Sequence, residues 1–181
     1  MKKYSKGMAS FVVMMMLSPV AAQAADGKVT FNGEVIDNTC TVLNKNKTVT
    51  LPTVQRSALS SAGETAGVVP FTIDLTSCSP GTNVSVYFEK DQNVSTEGRL
   101  KNTLTGDDSA KNVDVELLNT RLTPINLAKT PAVAADGEAI PVAVAEQDGS
   151  ASLPFYARYY ATDAASVGIV AAYVNFTVVY P

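Results

Sequence analysis

The chain contains no histidine and only two cysteines, Cys40 and Cys78. Without histidine, a Ser-His-Asp or Cys-His arrangement that would activate a nucleophile cannot be assembled. Histidine-containing zinc sites are excluded for the same reason, and two cysteines are too few for a four-cysteine site. The sequence has no Gly-x-x-x-x-Gly-Lys phosphate cradle and no dinucleotide-binding fingerprint. Positive charge is also scarce, with 14 Lys+Arg against 17 Asp+Glu. An acidic chain without a basic patch argues against nucleic acid and anionic membrane surfaces as partners. There is no repeat of solenoid period and no convincing amphipathic helix. The one long apolar run, residues 8–17, is far shorter than the roughly 20 residues a spanning helix needs.

That run belongs to a segment of another kind. Lys2, Lys3 and Lys6 precede it, Pro19 follows it, and Ala22-Gln23-Ala24 forms a small-x-small cleavage pattern. Residues 1–24 are therefore expected to be a secretory signal peptide, with the mature protein starting at Ala25. Loss of the three lysines leaves 11 Lys+Arg against 17 Asp+Glu, a net charge of −6. Export favours a disulfide over two buried free thiols, and two cysteines allow one pairing, Cys40–Cys78. Closing that loop contributes about 4 kcal/mol by a chain-entropy argument.

The mature chain opens with a period-two pattern. Val29, Phe31, Gly33 and Val35 alternate with Lys28, Thr30, Asn32 and Glu34, the mark of a strand with one buried face. Residues 40–43 continue the extended pattern, and 48–52 read as a short strand ended by Pro52. Residues 57–67 are small and polar, a loop with room for one helical turn. Further alternating runs cover 71–78, 84–88, 113–117, 140–144 and 153–160, and Pro124 suits 122–125 to an edge. In 140–144 the apolar set is Ile140, Val142 and Val144. The last run places Val174, Phe176, Val178 and Tyr180 on one face. Many short strands separated by turn signals indicate an all-β sandwich or barrel.

Side chains that could suggest other chemistry have ordinary readings. Asp107, Asp108, Asp136 and Glu138 lie in polar turns without the converging partners of an acid/base or calcium site. Phe155, Tyr156, Tyr159 and Tyr160 could form a sugar-stacking platform, but aromatics are common strand residues and fit core and rim packing. The four Asn-x-Ser/Thr sequons, at Asn46, Asn83, Asn93 and Asn175, are read as chance.

Two apolar extended segments thus stand at opposite ends of the mature chain. Either they pair inside one closed sandwich, or the domain lacks a strand and the N-terminal segment completes the next molecule. A missing strand would leave core side chains and backbone groups uncovered, and each defect is costly. A donated strand would repair both, with Val29, Phe31 and Val35 each contributing about 1.5–3 kcal/mol on full burial. Periodicity leaves both readings open.

Four stretches in order carry a resemblance. They are Gly33-Glu34-Val35-Ile36-Asp37-Asn38-Thr39-Cys40-Thr41-Val42, Val69-Pro70-Phe71-Thr72-Ile73-Asp74-Leu75-Thr76-Ser77-Cys78, Leu153-Pro154-Phe155-Tyr156-Ala157-Arg158-Tyr159-Tyr160-Ala161-Thr162, and the C-terminal residues 172–180. With the signal peptide and the two cysteines, they resemble the pilin subunits of chaperone–usher fimbriae, in the type 1 fimbrial subunit family. The resemblance implies an incomplete immunoglobulin-like β-sandwich lacking its final strand, completed by donor-strand complementation, a recognised form of strand addition.

It further implies a non-enzymatic, cofactor-free subunit of an adhesive surface fimbria that passes through the periplasm. Its partners would be a periplasmic chaperone, an outer-membrane usher and other pilin subunits. Residues 25–35 would be the donor extension, with Val29, Phe31, Gly33 and Val35 as its inserting face and Gly33 at a tight point of the neighbour's groove. Residues 36–181 would be the pilin domain, with residues 174–180 forming the groove strand that meets the chaperone. The segment ahead of Val29 is short, a feature similar to minor adaptor subunits. The alternative within the same fold is a small glycan-binding adhesin module, although the chain has no room for the second receptor-binding domain that tip adhesins carry.

Overall fold

The computed structural model describes residues 29–33, 40–129, 133–134 and 140–181. The chain divides into two units, Met1–Ile36 and Asp37–Pro181. Within the second unit the strands are β1 (Thr41–Val42), β2 (Thr65–Thr76), β3 (Asn83–Phe88), β4 (Leu100–Lys101) and β5 (Val113–Leu118), followed by β6 (Ile125–Asn126), β7 (Val133–Ala134), β8 (Ala143–Val144), β9 (Ala151–Ala161) and β10 (Phe176–Val179). A single 3-10 turn, Arg56–Leu59, is the one helical element among the described residues.

Five strands form one sheet in the order β1-β2-β9-β5-β4, and three form another in the order β10-β3-β8; β6 and β7 make a separate hairpin. All pairings between these strands are antiparallel. The inward faces of the two sheets meet in one core. Ile73, Leu75, Val115, Leu117, Leu153 and Phe155 come from the larger sheet, and Val84, Val86 and Phe88 from the smaller. Phe155 is fully buried. Its ring stacks on Phe71 at 5.6 Å and meets Phe88 of the facing sheet edge-on at 5.3 Å. Both geometries are favourable for aromatic pairs. The chain is thus an all-β sandwich.

The alternation of β2, β3 and β9 resolves as expected, with Ile73 and Leu75, Val84 and Val86, and Leu153 and Phe155 all buried. Near the start of β2 the register shifts between Ala66 and Val69. Gly67, at φ +68°, lies inside this bulge, and a Cβ there would press on the Tyr159 ring at 3.1 Å. A side chain there would be strained by the left-handed backbone and would crowd the Tyr159 ring.

β2 begins at Thr65, inside the expected loop 57–67, and three other segments also differ from the expectation. Every position of β5 is buried, including Asp114 and Glu116. Its outer face is covered by ion pairs: Glu116 accepts from Arg158 Nη2 at 2.6 Å, and Asp114 faces Arg99 Nε at 3.4 Å. In β8 the parity is reversed, because Val142 and Val144 are exposed while Ala145 is buried and Ala143 packs on the core. Residues 142–145 are all apolar, so alternation of polarity could not say which face turns inward. Residues 48–52 form no strand. Val49 and Leu51 are half-buried between exposed Thr48 and Thr50, as a strand would have them, yet the last backbone bond to β2 is Leu43 N–H to the Asp74 carbonyl, 2.9 Å.

Cys40 and Cys78 are joined as a disulfide, their Cα atoms 4.1 Å apart. It ties the entry of β1 to the exit of β2, next to the register pair Thr41 and Thr76.

Candidate subunit interface

β10 pairs with β3 through Phe176–Phe88, Thr177–Tyr87, Val178–Val86 and Val179–Ser85. Just before it, the Glu89 N–H donates to the Asn175 carbonyl at 2.8 Å. Antiparallel ladders alternate between residues that exchange hydrogen bonds with the partner and residues whose groups point the other way. Asn175, Thr177 and Val179 therefore turn their main-chain groups toward β3, while Phe176 and Val178 turn theirs to the opposite edge. Among the described residues no strand pairs with that edge.

The side chains follow the same parity. Val174, Phe176, Val178 and Tyr180 pack against the main core but stay half-buried, whereas Tyr173, Asn175 and Thr177 are exposed. The four residues expected at the groove thus share one inward face that the domain only partly covers. No charged residue occurs in 174–180. The nearest charge in the ladder is Glu89, whose Oε1 accepts from Thr177 Oγ1 at 2.9 Å on the exposed face. The edge is apolar inward and carries unpaired main-chain groups outward, the combination that invites another strand.

The approach to β10 is held by one buttress. Asn102 Oδ1 accepts from the Ala171 N–H at 3.0 Å, and Asn102 Nδ2 donates to the carbonyls of Ile169 and Ala110, each at 3.0 Å. The Thr103 N–H and Oγ1 both reach the Ala171 carbonyl, at 2.8 and 2.9 Å. Gly168 lets the backbones come this close, since a Cβ there would strike the Ala110 amide nitrogen and Ser109 carbonyl carbon. Sequence reasoning assigned neither Asn102 nor Gly168 a role.

Residues 47–50 form the other notable feature of this unit. Together with residues 69–72 they line an opening of about 410 Å³. Lys47 Nζ lies 3.4 Å from Asp74 Oδ2, to which Thr72 Oγ1 also donates at 3.0 Å, and Ser152 Oγ donates to Asp74 Oδ1 at 2.8 Å. Partial burial pushes the Asp74 carboxyl up, but the hydrogen bonds from Ser152, Thr72 and Lys47, with the Lys47 charge, outweigh it and hold it below its ordinary value. Among the described residues, no backbone hydrogen bond joins 47–54 to a neighbouring strand.

In the first unit, Val29 is 77% and Phe31 90% exposed. A Cβ at Gly33 would meet open space. Val35, the fourth residue of the expected donor face, lies outside the described residues, as do the expected signal peptide and the start of the extension. The aromatic cluster is engaged in packing: Phe155 is in the core, Tyr159 lies against Gly67, and the Arg99 guanidinium sits 4.0 Å over the Tyr160 ring.

Residues 51–181 match the family model described as Type-1 fimbrial protein, A. The chain belongs to that family. Its members are fimbrial subunits, structural rather than enzymatic. Among characterised relatives, the chain is 43% identical to the major fimbrial subunit SMF-1 of Stenotrophomonas maltophilia (strain K279a), over 92% of this chain and 99% of that one. It is 39% identical to the F17 fimbrial protein of Escherichia coli, over 93% and 94% of the two chains. The minor fimbrial subunit HifD of Haemophilus influenzae is 37% identical over 88% of this chain and 76% of its own. Among solved structures, the P pilus rod subunit PapA aligns with a TM-score of 0.55 at 16% identity, over 79% of this chain and 99% of that one. The CupB6 tip adhesin from Pseudomonas aeruginosa aligns with a TM-score of 0.59 at 19% identity, over 81% of this chain and 40% of that one. These two likenesses show the fold, an immunoglobulin-like sandwich.

Proposed function

We propose that this protein is a structural subunit of an adhesive surface fimbria and polymerises by strand donation. The arm around Val29, Phe31, Gly33 and Val35 seats along β10 of a neighbouring subunit. In transit through the periplasm a chaperone strand occupies that edge, and an outer-membrane usher directs the exchange. The observation that carries this reading is the outward edge of β10, where Phe176 and Val178 present main-chain groups that no strand among the described residues pairs with, above half-buried apolar side chains. An added strand would satisfy the backbone groups and cover the side chains at once. The exposure of Val29 and Phe31 supplies the complementary half.

The test is removal of residues 25–32. The truncated subunit should still fold around its chaperone but add no further subunit to a fibre. Fibres at wild-type yield would overturn the proposal.

A further inference from the structure

The arm carries a chemical liability that its alternation does not explain. Eleven asparagines occur in the chain, and Asn32 is the one followed by glycine. The pair sits in the exposed arm, beside Phe31 at 90% exposure. Open space surrounds the position of a Cβ on Gly33. Among the described residues, neither the Asn32 carboxamide nor the Gly33 N–H is held in a hydrogen bond. A backbone amide can attack a preceding asparagine side chain only when it is unpaired and can rotate into line. Glycine, which lacks a Cβ, meets the least resistance to doing so.

We infer that Asn32–Gly33 is a site of spontaneous deamidation in the unassembled subunit, which retires subunits whose arm stays free. The Gly33 nitrogen attacks Asn32 Cγ, the new N–Cγ bond closes a five-membered succinimide, and the Cγ–Nδ2 bond breaks. Ammonia departs with the proton that Gly33 has lost. Water then opens the ring. Attack at Cγ gives aspartate on an unaltered backbone. Attack at the main-chain carbonyl routes the backbone through Cγ and gives isoaspartate, with an extra methylene in the chain. Nothing is oxidised or reduced.

The two products differ in consequence, and this part rests on the strand-donation reading. In the period-two pattern Asn32 lies on the face opposite Phe31 and Gly33, so an aspartate there points away from the groove. Isoaspartate instead lengthens the backbone between Phe31 and Gly33, so the two ends of the arm can no longer keep one register with β10. An arm seated in a neighbour has the Gly33 N–H fixed in an extended strand and is protected.

The test is peptide mapping by mass spectrometry of the purified full-length subunit and of assembled fibres, both aged in mildly alkaline buffer. In the free subunit, Asn32 should deamidate many-fold faster than Asn44 and Asn46, which are also exposed but precede lysines, and isoaspartate should be the larger product. Equal rates at Asn32, Asn44 and Asn46 would overturn the deamidation site. In fibres Asn32 should be many-fold slower; an unchanged rate there, with fast reaction in the free subunit, would keep the site and overturn strand donation. The Asn32→Asp variant should assemble normally while aged, isoaspartate-bearing wild-type subunits fail. Normal assembly of the aged subunits would overturn the retirement role.

Discussion

Phe31 should matter for assembly and be irrelevant to the stability of the subunit that carries it. In the free chain its ring is 90% exposed, so almost all of its apolar surface remains to be buried. Full burial of a phenylalanine is worth about 1.5–3 kcal/mol. In Phe31→Ala most of that gain is lost, so a synthetic arm peptide spanning residues 27–37 should bind an arm-deleted subunit about tenfold to a hundredfold more weakly than the natural sequence. Unfolding of the free Phe31→Ala subunit should match wild type to within about 0.5 kcal/mol, as for exposed positions generally. The assay pairs peptide titration, read by fluorescence anisotropy, with urea unfolding of the intact subunit. Equal affinity of the two peptides would refute the assignment of Phe31 to an inserting face. A marked loss of stability in the free variant would refute it too, since the ring would then already be packed in its own molecule.

Three further outcomes follow from the domain itself. Phe155→Ala removes the ring that joins Phe71 to Phe88 across the sandwich and should cost about 3–5 kcal/mol in urea unfolding; a cost near zero would mean the core is not organised around it. Replacing Cys40 and Cys78 by serine should lower stability by about 2–5 kcal/mol, and unchanged unfolding would argue against a structural role for the bond. Burial raises the Asp114 carboxyl above its ordinary value, with Arg99 pulling the other way, so the folded state binds this proton more tightly than the unfolded chain. Its contribution favours folding at acid pH and is lost as pH rises through the folded value. Carboxyl NMR should show Asp114 titrating high in wild type and higher still in Arg99→Ala, while a value at or below that of an ordinary aspartate would contradict the burial.

How much of this was legible in the sequence depends on where each strand finds its partner. β2, β3 and β9 have one polar and one apolar face, so alternation alone named Ile73, Val84, Val86, Leu153 and Phe155 as core. β8 was misread because Val142, Ala143, Val144 and Ala145 offer no contrast between faces. β5 hid its second buried face, since Glu116 and Asp114 look like solvent residues until Arg158 and Arg99 are seen to cover them. Residues 48–52 carry a strand's pattern without a ladder, because the chain leaves β2 after Leu43. At the interface, the face of Val174, Phe176, Val178 and Tyr180 could be read from period two. The direction of the backbone groups at Phe176 and Val178 could not, because it depends on which residues of β3 lie opposite.

Amide hydrogen exchange at Phe176 and Val178, in the subunit alone and with excess arm peptide, tests the strand-accepting edge most directly. Thr177 and Val179, facing β3, serve as internal references. The N–H groups of Phe176 and Val178 should exchange much faster than those of the references in the free subunit and become strongly protected when the peptide is bound. Slow exchange at Phe176 and Val178 in the free subunit, or rates unaffected by saturating peptide, would contradict it.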